Sequence, residues 1–142
     1  MKGLPTLIRL HQWRLDQKRR ELAELERLLA GLIAQLDKLE AEIKAEQAFA
    51  ASSETMGFAY ASFAAAAIER RKKLEQSMVE ANARIVEKHA EVTGAFHEVK
   101  RYEIAYREAL RRAAHELARV ERAELDEIAL NSYRMKTAAA AR

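Results

Sequence analysis

Several residue types are scarce or missing from this chain, and each absence excludes a class of structure. None of the 142 residues is cysteine, which excludes disulfide frameworks and thiolate metal sites and favours a reducing compartment such as the cytoplasm. One proline and four glycines leave few helix breakers. No apolar run approaches the roughly 20 residues needed to span a bilayer, and the N-terminus lacks a signal-peptide core. We therefore expect no membrane insertion.

What is present is typical of long helices. A third of the residues are charged, and Ala, Leu, Glu, Lys and Arg are abundant. In the first third, apolar residues recur at alternating spacings of four and three, as in a coiled coil. Four d positions hold Leu4, Leu25, Leu32 and Leu39, with His11, Lys18 and Glu46 in the others, and six successive a positions hold Ile8, Leu15, Leu22, Leu29, Leu36 and Ile43. The pattern predicts a first helix over about 5–52, with Pro5 in its first turn.

The repeat fails at the segment "AASSETMGFAY". Ser52, Ser53 and Thr55 are candidate N-caps, and Gly57 is able to close a helix in the left-handed conformation. We therefore predict a turn over about 53–57 and a second helix over about 58–133. Its apolar stripe begins at Met78 and Ala81 and continues through Ile85, Val92, Ala95, Val99, Tyr102, Tyr106, Ala109, Ala113, Val120 and Ala123.

Two amphipathic helices joined by a short turn bury their stripes most simply against each other. The prediction is a single all-α domain over 1–142, an antiparallel two-helix coiled-coil hairpin with a longer C-terminal helix. A parallel dimer of open helices is the alternative. Folding the chain about residue 55 places Leu36 near Leu74, Leu22 near Lys88 and Ile8 near Tyr102.

The second helix is longer than its predicted partner. Residues past about Arg107 have no neighbour in this hairpin, yet large apolar residues continue at Leu110, Leu117, Val120, Leu125 and Ile128. Such an unpaired stripe predicts a protein surface that receives it. The alternative is that this helix frays or associates with a second copy. We expect residues 137–142 to be disordered.

Charge is unevenly distributed along the chain. Residues 1–20 have a net charge of +5, whereas residues 21–55 have a net charge of −5. Cations near the N-terminus of a helix oppose its dipole, so a partner is expected for them. Candidate contacts in this segment are Arg9, Trp13, Arg14, Lys18, Arg19 and Arg20, with Trp13 at an outward-facing f position.

Motifs for catalysis and metal binding are missing from the sequence. The four histidines, at positions 11, 89, 97 and 115, lack the spacings of di-iron bundles and zincins, and no glycine-rich phosphate loop is present. A two-stranded coiled coil also offers almost no enclosed interior for an active site. We predict a non-enzymatic protein without a cofactor. The aromatic cluster Phe49, Met56, Phe58, Tyr60 and Phe63 either packs as a knob that closes the hairpin or forms an exposed docking surface.

The chain resembles the FliJ family of the flagellar type III export apparatus. The resemblance lies in "LPTLIRLHQWRLDQKRRELAEL", "GFAYASF", "EVKRYEIAYREAL" (Glu98 to Leu110) and "ERAELDEIAL" (Glu121 to Leu130), and it covers essentially the whole chain. It implies a stalk-like hairpin whose paired terminal region enters the hexameric export ATPase, promotes ring assembly and links the ring to the membrane export gate. It also implies contacts with export chaperones and a peripheral location at the cytoplasmic face of the flagellar basal body.

The resemblance suggests roles for particular residues. The basic residues of the first helix would face acidic groups of the ATPase, and the exposed apolar stripe of the second helix would also contact the ring. The family's gate patch maps onto Gln35, Leu39, Leu74, Met78, Ala81 and Ile85, but Leu and Met replace Phe and Leu, and Ile85 stands where His is expected. Leu39, Leu74 and Met78 fit the helix seam equally well.

Three other functions fit parts of the sequence. A generic coiled-coil spacer and the stalk of a virulence-type secretion system share the hairpin pattern. Binding of nucleic acid or anionic membrane through the basic N-terminal turns is less favoured. Acids return at Glu21, and the apolar face is committed to a helix partner. We expect no nucleic-acid partner.

Overall fold

The computed structural model describes residues 3–52 and 57–141. They form two α-helices, α1 (Leu4–Ala51) and α2 (Gly57–Ala140), of 48 and 84 residues. The described part of the chain contains no strand. The all-α helical hairpin with a longer second helix is therefore confirmed.

The helix ends differ in detail from the sequence-based expectations. The Gly3 carbonyl accepts the first bond of α1 from the Leu7 amide at 3.0 Å. Ser52 is not an N-cap, because its hydroxyl donates to the Phe49 carbonyl at 2.8 Å and so completes the end of α1. Gly57 begins α2 without a positive φ, so it does not close a helix in the left-handed conformation. The other turn residues, including Ser53 and Thr55, lie outside the described residues.

The chain divides into two compact units, and each contains a stretch of both helices. One unit is Gln12–His97. Within it the helices run antiparallel, because partner numbers fall along α2 as they rise along α1: Glu21 pairs with Lys88 at 2.7 Å, and Glu40 pairs with Arg71 at 2.6 Å. The first of these pairs agrees with the predicted neighbourhood of Leu22 and Lys88.

The seam of this unit follows the predicted heptads. On α1 the a positions are buried or half-buried throughout, and Leu15 and Leu39 are the most buried. Among the described residues of this unit, Ala67 and Ala81 are the buried residues of α2. Small Ala side chains in a seam allow two helices to approach closely. The apolar stripe is therefore the packing surface of the hairpin.

The other unit consists of Met1–His11 and Glu98–Arg142. His11 stacks on Tyr102, with ring centroids 4.6 Å apart and an interplanar angle of 22°. Val99 and Ala109 are buried, and Leu4 and Ile8 are half-buried. His11, which occupies a polar d position, thus stacks on an aromatic ring. The sequence predicted Ile8 as the neighbour of Tyr102, and the observed contact is with His11, one helical turn later.

The end of α2 lies beyond its predicted end near Tyr133. The helix runs to Ala140 and so includes much of the 137–142 segment that the sequence predicts to be disordered. The Thr137 hydroxyl donates to the Tyr133 carbonyl at 2.6 Å. The following residues are alanines, which have the highest helix propensity. Local propensity extends the helix here without tertiary packing, since residues 110–141 are all exposed.

Candidate protein interface

The far end of α2 presents large apolar side chains to solvent. Leu117 is 61% exposed, and the other predicted contacts in this segment are also exposed, namely Leu110, Val120, Leu125 and Ile128. Met135 extends the same set. Leu110, Leu117, Ile128 and Met135 lie close to one line along the helix, because their separations of 7, 11 and 7 residues are near whole numbers of about 3.6-residue turns. We call the surface formed by Leu110, Leu117, Ile128 and Met135 the C-terminal stripe.

An exposed stripe of this kind is unusual on a soluble surface. Single exposed apolar residues are common, but aligned large ones mark an interaction site. From Leu74 to Ala109 the same helix has a buried or half-buried residue at least every four positions. From Leu110 onward no residue of the described chain is buried. The C-terminal stripe is therefore an apolar surface that the described part of the chain does not cover.

The basic residues at the start of α1 fall into two groups. Arg9, Arg14 and Arg20 are exposed, and within the described chain they make no ion pair. Lys18 and Arg19 already have acidic neighbours, since Lys18 pairs with Glu91 at 3.2 Å and Arg19 lies 3.9 Å from Asp16. The first group is available to a partner, whereas the second is partly neutralised.

Trp13 is 60% exposed. It lies between Arg9 and Arg20 in sequence, at the predicted outward-facing f position. A large aromatic ring in solvent is a common anchor for protein contacts. The structure thus leaves Trp13 accessible, as a contact residue requires.

Lys18 belongs to a charge network between the helices. Lys88 donates to Glu21 at 2.7 Å and lies 2.7 Å from Glu91, and Lys18 donates to Glu91 at 3.2 Å. The hydrogen bonds from Lys88 lower the pKa of Glu21 and of Glu91, and those same bonds raise the pKa of Lys88. Polar groups in a coiled-coil seam specify register. Lys18 therefore contributes to the pairing of the two helices.

The gate candidates are mostly inside the hairpin seam. Leu39 is 1% exposed and Ala81 is 3% exposed. Leu74, Met78 and Ile85 are half-buried, and only Gln35 is exposed. A contact through Leu39 or Ala81 would require the helices to separate, so their burial favours the seam role. The gate contact stays a prediction.

The aromatic cluster does not form one closed knob. Phe58 is 91% exposed and Phe49 is also exposed, whereas Tyr60 and Phe63 are half-buried beside Ile43 and line a shallow groove. Met56 lies outside the described residues. The cluster therefore separates into a packed pair and an exposed pair.

Side chains that could bind a metal ion are scattered along the described chain. Over residues 3–52 and 57–141, no group of three or more His, Asp or Glu side chains is arranged to hold a metal ion. His89 lies 3.8 Å from Glu26, and His97 and His115 are exposed. Neither helix, over its described residues, contains a segment that would cross a bilayer.

Sequence reasoning missed one set of polar residues in the segment that carries the C-terminal stripe. Glu121, Glu124 and Glu127 are exposed and make no ion pair within the described chain. Elsewhere on α2 glutamates pair with nearby arginines, as in Glu98 with Arg101 at 2.7 Å and Glu116 with Arg119 at 2.6 Å. The signal was available in the sequence, because none of the three has Lys or Arg three or four residues away.

Comparison with known proteins gives one family match. The family model described as "Flagellar FliJ protein" matches residues 1–138. No curated protein and no solved structure gives a significant match.

Proposed function

This chain belongs to the FliJ family of flagellar proteins, and we propose that it is the stalk-like subunit that binds the hexameric flagellar export ATPase. The family is a structural component of the flagellar type III export apparatus. The proposal assigns to this chain the promotion of ring assembly and the coupling of the ring to the export gate and chaperones. It also implies a peripheral position at the cytoplasmic face of the basal body.

The C-terminal stripe is the observation that carries this proposal. Its side chains remain exposed in the isolated chain, although they are as large and apolar as those in the seam. Burying each of them against a partner would contribute about 1 kcal/mol or more before the costs of association. A pore whose wall carries apolar groups opposite Leu117 and Ile128 would supply such a partner.

The exposed cations of α1 support the same partner. Arg9, Arg14 and Arg20 are not neutralised within the described chain. They lie 5, 10 and 16 residues after the start of α1 at Leu4, with their side chains exposed to solvent. An acidic surface on the ATPase would pair with these cations and would accelerate encounter.

The first test measures ATPase binding and stimulated hydrolysis. Leu117→Gln combined with Ile128→Gln should abolish both hexamer formation and stimulation, because it removes the centre of the C-terminal stripe. Val79→Gln is the matched control, since Val79 is also an exposed apolar residue of α2 but lies outside the stripe. Equal loss in the control, or full activity in the double variant, would refute the proposal.

The second test addresses the basic residues. Simultaneous reversal of Arg9, Arg14 and Arg20 to Glu should weaken ATPase binding and reduce its dependence on salt, because exposed charges act over distances set by ionic screening. Circular dichroism would confirm that the variant remains helical. Unchanged affinity with unchanged salt dependence would remove the electrostatic part of the proposal.

A further inference from the structure

The unpaired glutamates interrupt the C-terminal stripe at its middle. Leu117, Glu121, Glu124 and Ile128 follow the spacing i, i+4, i+7 and i+11, which places them on one face of α2. Two carboxylates therefore stand between two apolar side chains, and all four are exposed. A partner that covers Leu117 and Ile128 must also cover Glu121 and Glu124.

These carboxylates have no compensation within the helix. Glu121 and Glu124 are three residues apart, a spacing at which like charges destabilise a helix. Neither makes an ion pair within the described chain. Covering them with an apolar surface would remove two charges from water without a partner, which is strongly unfavourable.

A second copy of the chain does not meet this requirement. In a parallel pairing that brings Leu117 against its counterpart, Glu121 meets Glu121. In an antiparallel pairing that brings Leu117 against Ile128, Glu121 meets Glu124, because both pairs of residue numbers have the same sum. Either arrangement places like charges at the centre of the contact, where they are unfavourable. The carboxylates thus select against the self-association that the sequence left open.

We infer that the C-terminal stripe docks on a partner surface with a Lys or Arg side chain between two apolar contacts. Leu117 and Ile128 occupy the apolar contacts, and the carboxylates of Glu121 and Glu124 accept hydrogen bonds from the cation. This inference rests on the proposed function, and it specifies the chemistry of the ATPase surface that receives α2. Charge-assisted hydrogen bonds then fix the position of a helix that apolar contact alone would allow to slide.

The test uses the whole 142-residue chain and the flagellar export ATPase of the same organism. Glu121→Gln with Glu124→Gln should reduce affinity by about tenfold to hundredfold, the range for losing charged hydrogen bonds. The variant should also bind with a weaker dependence on salt. Asp126→Asn is the matched control, because Asp126 is an exposed carboxylate two residues from both Glu124 and Ile128 and so faces elsewhere. Its affinity should equal that of the wild type.

The outcomes separate this inference from the proposed function. Wild-type protein that does not bind the ATPase would overturn the proposed function. Wild-type binding that the Gln double variant leaves unchanged at every salt concentration would overturn the inference alone.

Sedimentation equilibrium adds a readout without the ATPase. The wild type should remain monomeric under conditions in which the Gln double variant self-associates. A wild-type dimer that Leu117→Gln dissociates would contradict the inference.

Discussion

Leu39 packs in the hairpin seam, whereas Leu117 belongs to the proposed binding surface. The same substitution at both positions therefore distinguishes an effect on packing from an effect on binding. Leu39 is 1% exposed in the seam, whereas Leu117 is 61% exposed on the C-terminal stripe. Both are leucines within long helices, so replacement by Ala changes helix propensity equally and slightly favourably. Differences between the two variants therefore report the surroundings of each side chain.

Leu39→Ala should lower the free energy of unfolding substantially. Buried Leu→Ala changes cost about 2–5 kcal/mol, and the neighbouring seam residues of a two-helix hairpin allow water to reach part of the gap, so we expect about 2–3 kcal/mol. With a urea m-value of about 1–3 kcal/mol/M, the midpoint should fall by roughly 0.7–3 M. Leu117→Ala should change the free energy of unfolding by less than about 0.5 kcal/mol.

Urea unfolding followed by circular dichroism measures both values, and ATPase binding measured on the same samples completes the comparison. Leu117→Ala should weaken binding although it leaves stability intact. The reasoning would be refuted if Leu117→Ala destabilised the chain as much as Leu39→Ala, because Leu117 would then be packed within the chain.

Three further predictions concern stability. Because hydrogen bonds from Lys88 lower the pKa of Glu21 below its ordinary value of 4.5, their stabilisation is present above that pH and is lost as pH falls below it. Lys88→Met should therefore weaken the acid dependence of the thermal midpoint, and an unaltered pH profile would count against the network. Gly94→Ala should raise the free energy of unfolding by about 0.5–1 kcal/mol, since an added Cβ meets nothing within 4 Å, and a lower urea midpoint would contradict this. Phe58→Ser should leave the urea midpoint unchanged because Phe58 is 91% exposed, whereas Phe63→Ala should lower it, and equal effects would show that the two rings share one environment.

The seam could be predicted from the sequence because heptad spacing is a direct consequence of helix geometry. Leu15 and Leu39 are buried as their a and d positions require, and Lys88 lies beside Glu21, one residue from the predicted Leu22. The exposure of Leu117 followed from comparing the lengths of the two helices. Patterns of this kind depend only on backbone periodicity and chain length.

Other features depend on which side chains pack against each other, and periodicity does not determine that. The spacing of aromatic residues does not decide whether a ring points inward, and so Phe58 is exposed while Phe63 packs. The gate assignment transferred a family pattern onto Leu39 and Ala81, which the seam buries. The sequence shows that the glutamates of the C-terminal stripe lack a Lys or Arg three or four residues away, and the structure adds that they make no ion pair within the described chain and lie beside exposed leucines.

Hydrogen exchange measured by mass spectrometry, with and without the export ATPase, tests most directly whether the far end of α2 is a binding surface that only the partner covers. Most helical stability in proteins comes from tertiary packing, which residues 112–135 lack, so their amides should exchange much faster than those of residues 14–40 in the free chain. Addition of the ATPase should protect residues 112–135 selectively. Strong protection of this segment in the free chain, or no change when the ATPase is added, would contradict the proposed role of the C-terminal stripe.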